Sequence, residues 1–256
     1  MEIIDVHAHP YYDFHDPVKS TDEFMADAKA AGITCICGSV IYKEMYKDKD
    51  MNKYPASYYE TKVPELNDMA YALAEKYEGF YYPGIHVHPD FLDMSMRELE
   101  RAKEKGCLLV GEQVWYMMAY KKFATENFIE ICRRAGELGM AVNMHPTDAA
   151  DMFALCEAAK GTTLVWAHLS GYGIFEEELQ MMKKYENVLF DISAHGCDFP
   201  DGIRRTVDAV GYDRILFGSD YPGYSHKEYI ESVLGQCSDV ECEAIFSGNA
   251  KRVLGI

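Results

Sequence analysis

The sequence predicts an α/β protein closed into a (β/α)8 TIM barrel. Eight short apolar runs alternate with amphipathic helical stretches across the 256 residues, and eight strand–helix units are the number that closes a parallel barrel. Gly32, Gly79, Gly106, Gly139 and Gly161 each stand just before the next apolar run, where a helix C-terminus favours a residue that tolerates left-handed backbone. The rival, an open doubly wound sheet, carries a glycine-rich phosphate turn after its first strand. Here that turn reads His7-Ala8-His9-Pro10, so the barrel is preferred.

In chain order, the apolar runs predict strands over 2–7, 33–40, 80–88, 107–112, 140–145, 162–168, 188–193 and 214–220. Apolar spacing predicts helices near 21–31, 64–78, 91–105, 123–138, 149–160, 174–185 and 200–210, with more helix after 226. Start signals support several of these. Ser20 or Thr21 precedes Asp22-Glu23, Asp93 or Ser95 lies near the third helix, and Thr125 precedes Glu126. No Pro-, Gly- or Ser-rich stretch interrupts the chain, so residues 1–256 are expected to form one domain, a length ordinary for this barrel.

Composition narrows the function. A hydrophobic fraction of 48% supplies an ample core, and a formal net charge of −17 argues against nucleic-acid or anionic-membrane surfaces, which need clustered Lys and Arg. A small organic substrate is expected instead. No run of about 18 apolar residues predicts a membrane span, and the N-terminus lacks the basic and apolar regions of a signal peptide. The eight cysteines read as small packing residues rather than a disulfide framework, including the Cys35-Ile36-Cys37 pair. A cytoplasmic location is therefore expected.

Function is read at the strand ends, because a TIM barrel builds its site from their C-terminal rim. In order these ends carry His7 and His9, His88, Glu112, His145, His168, Ser193 and Asp220. On a strand, residues i and i+2 face the same way, so His7 and His9 offer two imidazoles to one point, which suits a borderline divalent metal. A histidine before proline is also a common loop residue, and only the company of the other rim residues favours ligation. His145 reads as a further ligand. Glu112 ends a strand covered on both faces, where an unpaired carboxylate is costly, so it needs a cation. His168 reads either as structural or as a catalytic imidazole, the second being preferred. Asp220, after a Gly-Ser step on the last strand, can reach both a metal and its water.

Taken together, Ile4-Asp5-Val6-His7-Ala8-His9-Pro10, His145, His168, Phe217-Gly-Ser-Asp-Tyr-Pro222 and the ending Ser247-Gly-Asn-Ala-Lys-Arg-Val-Leu-Gly-Ile256 resemble the amidohydrolase superfamily. The nearest branch is the amidohydrolase-related family that includes aminocarboxymuconate-semialdehyde decarboxylase and γ-resorcylate decarboxylase. The resemblance runs from end to end. It implies a distorted TIM barrel with a divalent metal held by His7, His9, His145 and Asp220, and His168 beside the metal-bound water or the substrate. Glu112 departs from the decarboxylase pattern and is similar instead to the glutamate of TatD-like hydrolases, which binds or bridges metals. The expectation is one ion, most simply Zn²⁺ with Mn²⁺ or Fe²⁺ as alternatives, and two ions sharing Glu112 stay open.

The chemistry expected from this set is hydrolysis of a small ester, lactone or amide by metal-activated water, with Asp220 taking the proton and His168 stabilising charge or protonating the leaving group. The alternative is non-oxidative decarboxylation of a small aromatic or unsaturated carboxylic acid at the same site. Asp5 and Asn143 share faces with His7 and His145 and read as partners beneath the metal or as barrel filling. His86 and His88 form a second His-x-His with no acid or thiol following, so His88 reads as a border of the substrate pocket. Tyr116 and Tyr221 join it as aromatic walls, along with Tyr11, Tyr12, Tyr42, Met45, Tyr46, Tyr54, Tyr58, Tyr59, Trp115 and Tyr224. The segment 115–120 fits a homodimer contact equally well.

Overall fold

The structure is a computed structural model that describes residues 1–10, 20–41, 54–169, 173–197 and 201–256. Tyr11, Tyr12, Tyr42, Met45 and Tyr46 lie outside the described residues. Strands β1 (Ile4–Asp5), β2 (Cys35–Ser39), β3 (Tyr81–Ile85), β4 (Leu109–Gln113), β5 (Ala141–Met144), β6 (Leu164–Trp166), β7 (Val188–Asp191) and β8 (Ile215–Leu216) form one parallel sheet in sequence order. Between them run α1 (Thr21–Ala30), α2 (Ser57–Lys76), α3 (Leu92–Glu104), α4 (Glu126–Glu137), α5 (Ala149–Ala158), α6 (Phe175–Lys184) and α7 (Gly202–Val210). Helices α8 (His226–Gln236), α9 (Asp239–Glu243) and α10 (Asn249–Leu254) follow β8. The arrangement is the (β/α)8 barrel that the sequence predicts.

Closure happens beyond the regular strands. Val6 N–H donates to Phe217 O at 3.0 Å, His9 N–H to Tyr221 O at 2.8 Å and Asp220 N–H to His7 O at 2.7 Å, with a parallel bridge between Ala8 and Tyr221. Buried Asp5 reinforces this seam by accepting from His7 N–H at 3.0 Å and from the Ser219 hydroxyl at 2.5 Å. Ile4, Val6, Cys35, Cys37, Leu109, Ala141, Val165, Leu189 and Leu216 pack into one apolar cluster, joined by Ala250 and Leu254 of α10. A larger cluster fills the space between the strands and the outer helices. Cys35 and Cys37 are free thiols within the first cluster, in line with their packing reading.

The differences from the sequence reading have local causes. Strands β1 and β8 are two residues each, so His7, His9 and Asp220 sit on the turns past them rather than on strand. Ser20 caps α1 in a capping box and Thr125 caps α4, as read. Helix α3, by contrast, has Phe91 at its cap position and no side-chain cap; Asp93 and Ser95 fall inside it, and the Ser95 hydroxyl bonds the backbone of His88. Helix α2 starts at Ser57, well before Pro64, which lies inside it. Its buried face runs continuously from Tyr59 and Val63 to Leu66 and Ala70, and that packing overrides the hydrogen bond a proline forfeits. Gly32, Gly79, Gly106 and Gly139 adopt positive φ and Gly161 does not. No described helix is long and apolar enough to cross a membrane.

Strand β2 approaches the His7–His9 turn so closely that only glycine fits at position 38. A Cβ there would stand 2.0 Å from Ala8 O, and backbone cannot yield as a flexible side chain does. Gly38→Ala is expected to destabilise the fold by about 1–3 kcal/mol, the usual cost of overpacking. Because the clash falls between His7 and His9, metal retention should fall with it. Thermal unfolding and metal content of the purified variant check both, and a variant matching the wild type in each would remove this constraint.

Candidate metal centre

The strand ends and the turns past them bring four imidazoles and three carboxylates together. His7 Nε2 lies 3.1 Å from His9 Nε2, 3.3 Å from Glu112 Oε2 and 3.7 Å from Asp220 Oδ1. His9 Nε2 is 3.4 Å from each of the same two carboxylates. The other Glu112 oxygen, Oε1, faces His168 Nε2 at 3.3 Å, and the His168 ring centre is 4.9 Å from that of His145. Among the described residues, three groups bring ligand atoms within 4.8 Å of one another: His7, His9 and Asp220; Glu112, His145 and His168; and His7, His168 and Asp191. All are buried except Asp220, whose side chain is 19% exposed. The structure thus collects every ligand candidate read from the sequence and draws His168 in among them.

The hydrogen bonds behind the rings test whether this set fits a metal. His9 Nδ1 faces the carbonyl of Ser39 and His7 Nδ1 faces Asp191 Oδ2, each at 3.0 Å. Both partners are acceptors, so both Nδ1 atoms carry the hydrogen and both neutral rings turn an Nε2 lone pair toward the cluster. Two lone pairs 3.1 Å apart, with Glu112 and Asp220 alongside, repel one another unless a cation or an extra proton lies among them. Glu112 Oε1 is buried and accepts no well-directed hydrogen bond. A set of nitrogen and oxygen acceptors converging without donors fits a divalent metal ion.

Asp191 is the residue that sequence reasoning missed. It ends β7 fully buried, accepting from His7 Nδ1 at 3.0 Å and from the Asn143 amide at 2.8 Å. Asn143 therefore supports His7 from β5, as one of its two readings held. The available signal was a carboxylate inside the apolar run Val188-Leu-Phe-Asp-Ile192, which needs a partner as much as Glu112 does.

Electrostatics agree with a site built for positive charge. Without an ion, extra protons take its place: burial raises the Glu112 carboxyl, yet the charge of protonated His7 and hydrogen bonds from the His168, His7 and His9 rings when protonated hold it well below its usual range. Asp191 is likewise raised by burial but held down to about 2 by His7. Burial lowers His7, and Asp191 and Glu112 outweigh it to hold this imidazole well above its ordinary value. His168 is also raised, by Glu112 against burial. His145 is lowered to about 4, by burial and then by His168. Asp220 is raised by burial.

Metal and protons therefore compete for His7 and His168. Divalent affinity should fall as pH drops from about 8 to 6, by about tenfold per pH unit for each proton displaced. His145 and Asp191, which titrate near 4 and 2, contribute nothing in that window. Mn²⁺ titrations at several pH values measure the slope, and a flat affinity would contradict this account.

The three pocket-wall residues are placed differently from one another. Tyr116 stands edge-on against His145 with ring centres 4.8 Å apart, directly beside the cluster. His88 is buried, bonds Met118 O through Nε2 at 2.7 Å and stacks near Tyr59. It belongs to an aromatic layer with Phe91 and Tyr120 rather than to an open rim. Tyr221 turns toward α1, donating its hydroxyl to Asp27 at 2.8 Å and packing on Phe24 and His226. In both cases a distant acceptor, Met118 O or Asp27, claims the polar end of the side chain. The segment 115–120 is packed largely inward, with Trp115 Nε1 donating to Pro146 O at 3.0 Å.

Solved structures share this architecture over nearly their full length. A 5-carboxyvanillate decarboxylase from Sphingomonas paucimobilis superposes with a TM-score of 0.74 at 11% identity, covering 100% of this chain and 98% of that one. A 5-carboxyvanillate decarboxylase from Novosphingobium aromaticivorans, complexed with manganese and 4-hydroxy-3-methoxy-5-nitrobenzoic acid, gives 0.72 at 14% identity, covering 100% and 96%. A 4-oxalomesaconate hydratase from Rhodopseudomonas palustris gives 0.67 at 15% identity, covering 99% and 95%. No curated protein matches the chain by sequence. The amidohydrolase family model matches residues 4–256, and with this barrel and this rim of histidines and carboxylates the chain belongs to the amidohydrolase family.

Proposed function

We propose that the protein is a divalent-metal-dependent carboxy-lyase that releases carbon dioxide from a small aromatic or unsaturated carboxylic acid. The observation that carries this is the donor-free convergence of His7, His9, Glu112 and Asp220, lying on a barrel shared end to end with decarboxylases. The order of the two sequence readings is thereby reversed, since hydrolysis has no counterpart among the three structures compared. Residues His7, His9 and Asp220 would hold the ion, with Glu112 between them and His145 and His168. Mn²⁺ is the first metal to test, ahead of Zn²⁺, because a manganese complex is among the similar structures. When bound, the ion supplies a Lewis acid that anchors a carboxylate or neighbouring hydroxyl of the substrate.

The chain's own groups do the rest. Asp220 is partly exposed and its carboxyl is raised by burial, so it can carry a proton and give it to the substrate carbon. The bond from that carbon to the carboxylate breaks, its electron pair stays on the carbon, and the proton restores neutrality as carbon dioxide leaves. Tyr116, edge-on to His145, offers an aromatic surface beside the reacting ring.

Hydrolysis is the second reading, and Glu112 favours it. Its two oxygens face different imidazoles, so Glu112 could help hold a second ion with His145 and His168, and metal ions would supply an activated water. Asp220 would then accept the water's proton while the acyl–oxygen or acyl–nitrogen bond breaks. Incubating Mn²⁺-loaded protein with hydroxybenzoates, and separately with small esters and lactones, in D₂¹⁸O separates the two. Carbon dioxide release with deuterium on the former carboxyl-bearing carbon supports the lyase. Entry of ¹⁸O into a product carboxylate without carbon dioxide supports the hydrolase and overturns the lyase.

A further inference from the structure

Asp191 does more than support His7. Its two oxygens meet five donors: His7 Nδ1 at 3.0 Å and the Asn143 amide at 2.8 Å on Oδ2, then the backbone N–H of Ser193 at 3.1 Å, that of His168 at 3.3 Å and the Ser193 hydroxyl on Oδ1. Both Asp191 and Ser193 are fully buried. A carboxylate ringed by donors only accepts, so the single hydroxyl hydrogen of Ser193 is committed to it.

The consequence runs to two rings at once. Ser193 Oγ lies 2.9 Å from His168 Nδ1 and 3.1 Å from His7 Nδ1. Having given its hydrogen away, this oxygen can only accept, so both Nδ1 atoms must bear hydrogens. His7 belongs to the group with His9 and Asp220, and His168 to the group with Glu112 and His145.

We propose that Asp191 and Ser193 act together as positioning residues that fix His7 and His168 in the Nδ1–H form and so turn one Nε2 of each metal-binding group toward the centre. Asp191 also groups with His7 and His168 as ligand atoms within 4.8 Å of one another, but its oxygens already accept from five donors, so the pair works through the rings. His7 has two acceptors behind it, Asp191 and Ser193, whereas the tautomer of His168 is set by Ser193. The inference rests on the metal-site reading above in its consequence for binding, but the ring hydrogens belong to the protein with or without an ion.

Two measurements keep those apart. In metal-free protein labelled with ¹⁵N-histidine, at a pH high enough for both rings to be neutral, NMR should find the single ring hydrogen of His7 and of His168 on Nδ1. Ser193→Ala should release His168 into a mixture of ring forms while His7 keeps its Nδ1–H through Asp191, and Ser193→Thr should restore His168. In Mn²⁺ titrations, Asp191→Asn, which removes the acceptor directly behind His7, should weaken binding about 10–100-fold, the usual effect of losing an outer partner, and Ser193→Ala, which leaves Asp191 behind His7, should weaken it less. A bare Nδ1 on either ring of the wild type overturns the proposal, as does a Ser193→Ala variant with unchanged His168 signals. Ring forms as expected, in a protein that takes up no Mn²⁺, uphold the positioning role and defeat the metal reading alone.

Discussion

Asp220→Asn should leave the protein folded and largely metal-loaded while turnover falls by about 10²–10⁴, the usual loss on removing a proton-transfer group. Folding survives for a local reason. Asp220 sits at φ 59°, in the left-handed region where asparagine is as much at home as aspartate. Binding survives in part because the amide oxygen can still occupy the place of Oδ1, 3.4 Å from His9 Nε2 and 3.7 Å from His7 Nε2. Asparagine, however, can neither carry a proton to a substrate carbon nor take one from water, so the variant discriminates against both proposed reactions equally. The change should appear in kcat rather than KM. Steady-state kinetics on Mn²⁺-loaded variant, with metal content measured on the same sample, are the check. Turnover close to wild type would remove Asp220 as the proton carrier and pass that role to His168.

Glu112→Gln should have its largest effect on the metal itself. Glu112 is the carboxylate whose two oxygens face opposite imidazoles, His7 and His9 on one side and His168 on the other. A glutamine there presents oxygen to one side and an amide N–H to the other. That N–H would donate to a bare Nε2 and occupy the lone pair a metal requires. Affinity for Mn²⁺ should therefore fall by at least about 100-fold, the upper end of what mere outer partners cost. In metal-free protein the stability change should be smaller than the about 3–5 kcal/mol of a broken buried ion pair. His168 can lose its proton once the carboxylate that raises it is gone, while Asp191 still holds His7 up. Mn²⁺ titration and thermal unfolding with and without the ion test both halves. Unchanged affinity and unchanged melting would return Glu112 to a packing role.

The barrel was legible because its determinants are local. Apolar runs of strand length and glycines at helix ends are visible within a dozen residues, and Gly32, Gly79, Gly106 and Gly139 turned as read. Ligand identity was legible for the same reason: a histidine or carboxylate at the end of a buried strand is costly without a partner. Less visible was where strand pairing stops. His7 and Asp220 extend apolar runs, yet they lie on turns held by seam contacts between residues 6–9 and 217–221. Asp191 was hidden inside an apolar run, and its meaning depends on Asn143 and His168, 48 and 23 residues away. The polar atoms of His88 and Tyr221 are directed by Met118 and Asp27, 30 and 194 residues off, with which they hydrogen-bond. Side-chain direction of that kind is decided by tertiary packing, which periodicity does not encode.

The seam between the first and last strands has a further consequence. Asp5 and Ser219, separated by 214 residues, are joined within one turn of His7 and Asp220, so two of the ligands come from segments that meet only when the barrel shuts. Fraying near a chain's ends is ordinarily harmless to function. Here the same small opening would part His7 from Asp220 and dismantle the binding pocket while most of the helices stayed in place. Loss of chemistry should thus precede loss of helical structure as the molecule is warmed, and a divalent ion bound there would act as a latch that delays both.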